Sequence, residues 1–401
     1  MLNVKTKIMP SKIQYYKVMF AGLFSLMLTM GVARFSLTPL LPVMMDETFL
    51  NNASGGWLAS INYMGYMTGV LITASISDLK LKFMLYRTGL IVAILSTVGM
   101  ALAENYVIWS VMRFFAGLTS AAGLLMGSGL ILNWMLRNGH RAELGIHFGG
   151  AGLGIALSAA VAMAMAGHFD WAQQWQVFAI VGAVLAIPAW FWLPAPDTSH
   201  ITQTGKKLVD KPPSKNWMII LFTAYFCAGF GYVISATFLV AIVENQPSLK
   251  GSGSFVWLIT GLAAAPACII WDKIARKIGE LKALFIAYGI NIIGITIPAF
   301  DHSFTAIILS GILFGATFIG IVSLMLTMVG KFFPTKPAKP MGKLTLSYGT
   351  AQIIAPAISG SLAEASGNYD MPLILAGIVM SIGMILIYIL MSHSSQTTNT
   401  A

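Results

Sequence analysis

Two arginines lie inside long apolar stretches of the chain. Arg34 has 16 uncharged residues before it and 11 after it, and Arg113 is the single charged residue between positions 106 and 136. A charged arginine within a bilayer costs at least about 2.5–3.5 kcal/mol on insertion scales, so such residues usually face a cavity or a partner. The planar guanidinium binds two oxygens at once and suits carboxylate, phosphate or sulfonate groups. The two arginines therefore predict a site for an anionic ligand.

A structural role is the alternative interpretation of both arginines. Pro39 and Pro42 follow Arg34 and lack a backbone N–H, so carbonyls in the preceding turn lose their helical donors. Arg34 would then bond such carbonyls and fix a bend in its helix, and Arg113 would likewise support the fold. The sequence leaves both interpretations open.

Other polar and aromatic side chains in apolar stretches would complete such a pocket. Asn62 and Tyr66 are four residues apart and share one helix face, and Tyr348 and Gln352 repeat that spacing. Hydrogen bonding or packing between helices is the alternative role for each of them. The predicted binding residues are Arg34, Arg113, Asn62, Tyr63, Tyr66, Tyr225, Tyr232, Tyr348 and Gln352.

The composition identifies the environment of these residues. The chain has 401 residues, of which 57% are hydrophobic and 9% are charged, whereas soluble domains carry about 25% charged residues. This composition predicts an integral membrane protein. The net charge of +10 does not indicate nucleic-acid binding, because the basic residues lie in short clusters between apolar runs.

Twelve apolar runs are long enough to be helical membrane spans. They lie at roughly 18–44, 55–77, 83–103, 106–135, 144–166, 172–193, 217–243, 254–271, 282–300, 304–330, 343–365 and 371–391. An even number of spans places both termini on one side. That side is predicted to be the cytoplasm, because 21 of the 24 basic residues then lie inside, all except Arg34, Arg113 and Lys250.

This topology predicts a common depth for the two arginines. The first span runs outward and the fourth runs inward, so Arg34 and Arg113 both lie about 10–15 Å below the outer surface. No carboxylate occurs at that depth in any predicted span. The acidic residues are near span ends or in loops, so an anion in transit is one candidate for neutralising the two charges.

The chain carries a weak internal repeat at an offset near 200 residues. Gly31 matches Gly231, and "HFGGAG" at 147–152 matches "SYGTAQ" at 347–352. We predict an N-terminal six-helix bundle (1–193), a cytoplasmic linker (194–216) and a C-terminal six-helix bundle (217–401). Two parallel halves place a substrate site near the bilayer midplane and can rock about it. Ile234 occupies the repeat position of Arg34, so any anion site is asymmetric.

Several motifs resemble those of the major facilitator superfamily. They are "RFFAG" (113–117), "SISDLKLK" (75–82), "WDKIARKIG" (271–279), "GVARFSLTPLLP" (31–42), "FGYVISATFL" (230–239) and "YGTAQIIAP" (348–356), the last three of which resemble the bacterial YbfB/YjiJ-like branch. The resemblance implies an all-α fold of twelve transmembrane helices in two parallel six-helix halves, with spans one and four bordering a central cavity. It also implies charge contacts that latch the outward-open state, through Asp78, Asp272, Lys273 and Arg276. Pro39 and Pro42 are the remaining predicted conformational residues.

The leading functional prediction is a secondary active transporter that moves a small anionic organic solute by alternating access. Efflux of amphipathic or drug-like compounds is the alternative. Protons or a counter-solute are possible coupling partners, and His147 and Glu143, interpreted first as solvated residues at a loop edge, are the candidate proton carriers. We expect a monomer in the bacterial inner membrane, with no cofactor, no metal and no nucleic acid. An enzyme is not expected, since no His-Glu-x-x-His helix or paired intramembrane carboxylates occur.

Overall fold

The structure is a computed structural model that describes residues 12–138, 140, 144–196, 212–332 and 338–399. The described part of the chain is helical throughout, joined by short connections. Most of the predicted linker, together with Glu143, lies outside the described residues.

The helices before residue 197 follow the predicted apolar runs. They are α1 (Lys12–Glu47), α2 (Asn52–Ser75), α3 (Leu79–Gly99), α4 (Tyr106–Met135), α5 (Gly145–Met165) and α6 (Trp171–Phe191). Local sequence fixes where several begin. Asn51 and Asp170 each form a capping box at the start of α2 and α6, and Asn105 accepts from two backbone N–H groups at the start of α4.

The helices after residue 211 follow the predicted runs with one difference. They are α7 (Lys215–Glu244), α8 (Gly253–Ala264), α9 (Ala267–Ile278), α10 (Glu280–Ala299), α11 (Phe304–Phe332), α12 (Ala338–Ser366) and α13 (Asp370–Asn399). The predicted span 254–271 is a bent pair, α8 and α9, which meet at 43°. Pro266 lies at the bend, where it cannot donate the backbone bond that would continue the helix.

The described residues include nine helices that are long and apolar enough to cross a membrane, or ten if α8 and α9 form one span. Helices α2 and α12 are not among them, although α2 has 24 residues and α12 has 29. The prediction of twelve spans therefore stays a prediction. Helices α2 and α12 are long enough to cross a membrane but less apolar than the other spans. They carry five of the nine predicted binding residues.

Helices α2 and α12 pack directly against each other. A Cβ added at Gly56 would lie 2.4 Å from the carbonyl oxygen of Pro356, and one added at Gly349 would lie 1.8 Å from Sδ of Met67. Only glycine allows backbones to approach this closely. Protein therefore covers these helix faces, and polar side chains on them need no exposure to lipid.

Helices α5 and α8 form a second close pair. A Cβ added at Gly152 would lie 2.4 Å from the backbone nitrogen of Ala265, and one added at Gly261 would lie 2.3 Å from that of Ala156. The glycine run of α5 therefore serves close helix packing. Each close pair joins a helix before residue 197 to one after residue 211.

Hydrogen bonds join the two parts of the chain near one end of the helices, the end predicted to face outward. Thr38 donates to the carbonyl of Ala236 at 2.6 Å, and the backbone N–H of Asn52 donates to Glu364 at 3.1 Å. Tyr369 also donates to the Asn52 side chain. The interior is therefore closed toward the predicted outer side.

Candidate functional site

The backbone of α1 is irregular where Arg34 lies. Residues Met27–Phe35 form a π-helix, in which each carbonyl pairs with the N–H five residues later. The residue five positions after Arg34 is Pro39, which has no N–H. The carbonyl of Arg34 therefore needs a donor from outside its own helix.

Arg113 of α4 supplies that donor. Its Nη2 donates to the carbonyl of Arg34, and its Nη1 donates to the carbonyl of Ala33, both at 2.8 Å. The Arg113 side chain is 2% exposed, so both bonds are made in a water-poor interior where charge-assisted bonds are strong. We call this contact the Arg113 clamp.

The clamp shows a structural contact for one of the two arginines. From the sequence, Arg34 was the first candidate to bond the carbonyls near the prolines. In the structure, the guanidinium that bonds such carbonyls is that of Arg113. The Nε of Arg113 has no partner, but two of its nitrogens are satisfied by backbone. In this conformation Arg113 positions the helix that carries Arg34.

Arg34 has a different environment. Its guanidinium carbon lies 4.4 Å from the ring centre of Tyr63 and 4.7 Å from that of Tyr66. Both distances are within the range of cation–π attraction. Its Nη1 lies 3.8 Å from the sulfur of Met30, and its Nε is buried without a partner. Two aromatic faces thus hold the charge, while the hydrogen-bonding capacity of Nε is unused.

No acidic side chain neutralises Arg34. The ion pairs seen in the described residues are Asp272–Arg276 and Glu280–Lys331, and the described buried residues include no aspartate or glutamate. A buried charge without a partner is strongly destabilising, so Arg34 is the strongest electrostatic anomaly in the interior.

Gly117 brings α2 against α4 beside the clamp. A Cβ at Gly117 would lie 1.8 Å from the carbonyl oxygen of Asn62, so only glycine fits. The Asn62 side chain donates to the carbonyl of Arg113 at 2.8 Å, while its Oδ1 is buried without a partner. The "RFFAG" motif thus has two structural roles. Its arginine forms hydrogen bonds to the backbone of α1, and its glycine allows α2 to pack closely against α4.

Aromatic residues from α7, α11 and α12 face this region. Tyr348 stacks on Tyr225 with ring centres 4.4 Å apart and lies 5.9 Å from Tyr232, which stacks on Phe318 at 5.1 Å. Tyr232 and Tyr348 lie in the same buried region as Arg34. The structure therefore brings predicted residues from both parts of the chain together, and we call Arg34, Tyr63, Tyr66, Tyr232 and Tyr348 the Arg34 site.

Several polar groups around this site have no protein partner in the described part of the chain. Three other interior tyrosines donate to backbone carbonyls: Tyr86, Tyr106 and Tyr288. Among the described residues no such bond forms at the hydroxyls of Tyr66, Tyr225 or Tyr348. The Nε of Arg34, the Oδ1 of Asn62 and the Oε1 of Gln352 are buried and unpaired. Buried polar groups are normally satisfied, so this concentration of unused groups is typical of a ligand site.

Sequence reasoning missed two features of the site. Phe318 stacks on Tyr232, and Phe314 lies 5.0 Å from Phe318. Their spacing of four residues was a usable signal for a shared helix face, but two phenylalanines in an apolar run resemble ordinary packing. The π-helix of α1 was the second omission, and only the two prolines hinted at it.

The predicted charge latch is absent from this conformation in the described part of the chain. Asp78 accepts from the backbone N–H of Lys80 at 2.8 Å and so caps the start of α3. Asp272 pairs with Arg276 one turn later on its own helix, and both side chains are exposed. Each aspartate therefore has a local role, and a role in another conformation stays a prediction.

The interpretation of His147 as a solvated loop-edge residue is wrong. His147 lies in the first turn of α5 and is fully buried. Its Nε2 lies 2.8 Å from Oγ of Ser128. The sequence places it next to a polar loop, but packing of α1 and α4 over the end of α5 removes it from water.

Comparisons with known proteins agree with this architecture. A family model described as "Uncharacterised MFS-type transporter YbfB" matches residues 26–388. The chain is 23% identical to the uncharacterized MFS-type transporter YceJ of Bacillus subtilis, over 65% of this chain and 67% of that protein. It is also 23% identical to the probable sulfoacetate transporter SauU of Cupriavidus necator, over 72% and 73% of the two chains.

Solved structures share the fold. The crystal structure of a point mutant of the nucleoside transporter NupG superimposes with a TM-score of 0.73, covering 94% of this chain and 99% of that chain at 14% identity. The crystal structure of NupG itself gives a TM-score of 0.69 at 15% identity, over 94% and 98% of the two chains. At that identity the likeness shows the fold alone. Together with the match over 26–388, it covers the helices that carry the Arg34 site.

Proposed function

The chain belongs to the MFS-type transporter family described by the YbfB model, and from this premise we propose that it moves a small anionic organic solute across the membrane by alternating access. Resemblance to this branch, predicted from the motifs, is confirmed. The membership makes the chain an integral membrane transporter. The solute class and the transport cycle are the proposal.

The observation that supports an anionic solute is the environment of Arg34. Its charge is buried, lacks an acidic partner among the described residues and keeps an unused Nε between two tyrosine rings. An oxyanion would supply both the missing charge and the missing acceptor. The name of SauU refers to an organic anion, which supports the same class for this chain.

The position of the site supports alternating access. The Arg34 site combines residues from both parts of the chain, and the hydrogen bonds between those parts lie toward the predicted outer end. Rocking of the two parts would break these bonds and expose the site on that side. We further propose that the protein acts as a monomer in a bacterial inner membrane.

A second candidate function is efflux of amphipathic compounds. The stacked rings of Tyr225, Tyr348, Tyr232 and Phe318 give the site an aromatic wall that would hold an apolar body. Arg34 repels cationic compounds, so this candidate favours neutral or anionic cargo.

A ligand-stabilisation screen tests the proposal. Purified full-length protein is heated with sulfoacetate, benzoate, methylphosphonate or tetraphenylphosphonium, and the melting temperature is measured. A ligand at 100 times its Kd stabilises the fold by about 2.7 kcal/mol, so an anion that binds raises the melting temperature. We expect at least one anion to do so in the wild type and none in Arg34→Ala.

Two outcomes would contradict the proposal. Stabilisation by tetraphenylphosphonium alone, unchanged in Arg34→Ala, would favour cation efflux. Stabilisation by an anion that persists fully in both Arg34→Ala and Arg34→Lys would move the anion site elsewhere. The Arg34→Lys variant separates the effect of charge from that of geometry, because lysine keeps the positive charge but lacks the planar guanidinium.

A further inference from the structure

The second buried basic side chain near α1 is His147, and its ring nitrogens have unequal environments. Nε2 lies 2.8 Å from Oγ of Ser128. Nδ1 is buried and has no hydrogen-bond partner. It lies against Gly22 of α1, where an added Cβ would be 2.5 Å from Nδ1. One nitrogen is therefore engaged and the other is unused.

The contact with Ser128 occupies one nitrogen of the ring in either tautomer. Nε2 either donates to Oγ of Ser128 or accepts from it. The neutral ring carries one proton and the imidazolium carries two. Protonation therefore turns the remaining acceptor nitrogen into a donor.

The groups around the ring are polar or apolar but not charged. The side chains that line its neighbourhood in the described residues are Ser25 of α1, Tyr86 of α3, and Ser128 and Ile131 of α4. Tyr86 is the one titratable group among them, and its hydroxyl donates to the carbonyl of Ala189. The guanidinium of neighbouring Arg87 lies over Phe83 and Trp190 instead. No fixed charge of the described residues near the ring therefore decides its protonation.

Buried polar groups of α1 lie between the residue that His147 contacts and the Arg113 clamp. Ser25 donates to the carbonyl of Gly22, and Thr29 donates to the carbonyl of Ser25, both at 2.8 Å. Ser120 of α4 donates to the carbonyl of Thr29 at 2.9 Å. Gly22, which packs against His147, and the clamped carbonyls thus belong to the same helix.

Other ionisable groups do not offer the same chemistry. Among the described residues no aspartate or glutamate is buried, and His147 is the one fully buried histidine. Its ordinary titration range is also the one that matches physiological pH. A proton bound within the helix bundle would therefore be bound here.

We propose that His147 binds and releases a proton during the transport cycle, so that a proton is the coupling ion. The proton adds to the unprotonated ring nitrogen, and the ring becomes an imidazolium with a donor on each nitrogen. The half-buried Ser128 provides the contact with water. A cation without an acidic partner is unfavourable when buried, so proton binding changes the relative free energy of the conformations, as a coupled ion must.

Histidine hydrogen–deuterium exchange tests this directly in the wild-type chain. The full-length protein in lipid nanodiscs is exchanged at its imidazole C2 positions over a pH series, and peptides are read by mass spectrometry. The peptide with His147 is expected to show a sigmoidal rate profile across the pH series. The peptide with exposed His302 is the internal control. A flat profile for His147 would overturn the proposal.

The Ser128→Ala variant separates a proton site from a packed ring. Losing the partner of Nε2 is expected to shift the His147 midpoint by roughly half a pH unit or more. An unchanged midpoint would mean that this contact does not set the protonation state, and so would count against the proposal.

A flux measurement tests coupling, which rests on the proposed function. Proteoliposomes containing a trapped pH dye receive an anion found to bind. Solute-driven proton movement is expected in the wild type and in His140→Gln, and its loss in His147→Gln. Solute uptake without proton movement in the wild type would overturn coupling. Intact His147 titration without any anion binding would overturn only the proposed anionic solute.

Discussion

The two buried arginines occupy adjacent positions but have opposite surroundings. The Arg113 guanidinium bonds two backbone carbonyls at 2.8 Å, whereas Arg34 lies between tyrosine rings and keeps an unused Nε. Two nitrogens of one guanidinium are satisfied by backbone and those of the other are not. The difference shows that a buried charge indicates a functional site only when the groups that bind it in the fold have been identified.

Removing each arginine should therefore affect stability in different ways. Arg113→Ala removes two charge-assisted bonds to buried carbonyls, worth about 1.5–3 kcal/mol each, and so lowers the free energy of unfolding by about 3–5 kcal/mol. Arg34→Ala removes an unpaired buried charge and should leave that free energy equal or higher. Unfolding of both variants in one detergent checks this, and equal losses would remove the contrast.

The close approach at Gly117 offers the next test, because both arginines depend on it. Gly117→Ala places a Cβ 1.8 Å from the Asn62 carbonyl oxygen, and overpacking of this kind costs about 1–3 kcal/mol. Gly129→Ala on the same helix is the matched control, since nothing lies within 4 Å of its Cβ. Melting temperatures should fall for the first variant alone. A similar fall in both would indicate a general effect on α4.

A double-mutant cycle tests why α1 needs the clamp. Pro39→Ala restores an N–H five residues after Arg34, which can pair with the carbonyl that Arg113 now satisfies. The loss caused by Arg113→Ala should then shrink by about 1 kcal/mol in the Pro39→Ala background. Unfolding of the four proteins gives the coupling energy. Strict additivity would show that Pro39 and Arg113 act independently.

The smallest expected effect concerns the tyrosine hydroxyls. Tyr288 donates to the carbonyl of Ala224 at 2.8 Å, so Tyr288→Phe should lower the free energy of unfolding by about 1 kcal/mol. The Tyr348 hydroxyl has no partner in the described residues, so Tyr348→Phe should cost less stability but weaken binding of the anion found in the screen. Equal stability losses would mean that the Tyr348 hydroxyl is structurally satisfied.

Much of the architecture was predictable from local signals. Apolar length predicted the helices, and capping residues such as Asn51 and Asp170 fixed their starts. The bend at Pro266 and the polar character of α2 and α12 were harder to predict, because a proline near a span end and a moderately apolar run each permit several outcomes. His147 was misread, since burial of a residue beside a loop depends on helices distant in sequence.

The sequence by itself determined the chemistry available: two charges in apolar runs, tyrosines at helical spacing, and no acid at their depth. It also determined the family, through motifs that the comparison over 26–388 confirms. Only the tertiary structure decided which arginine is satisfied. That choice depends on the π-helical register of α1 and on the distance from α4 set by packing, and both arise from contacts between residues about 80 positions apart.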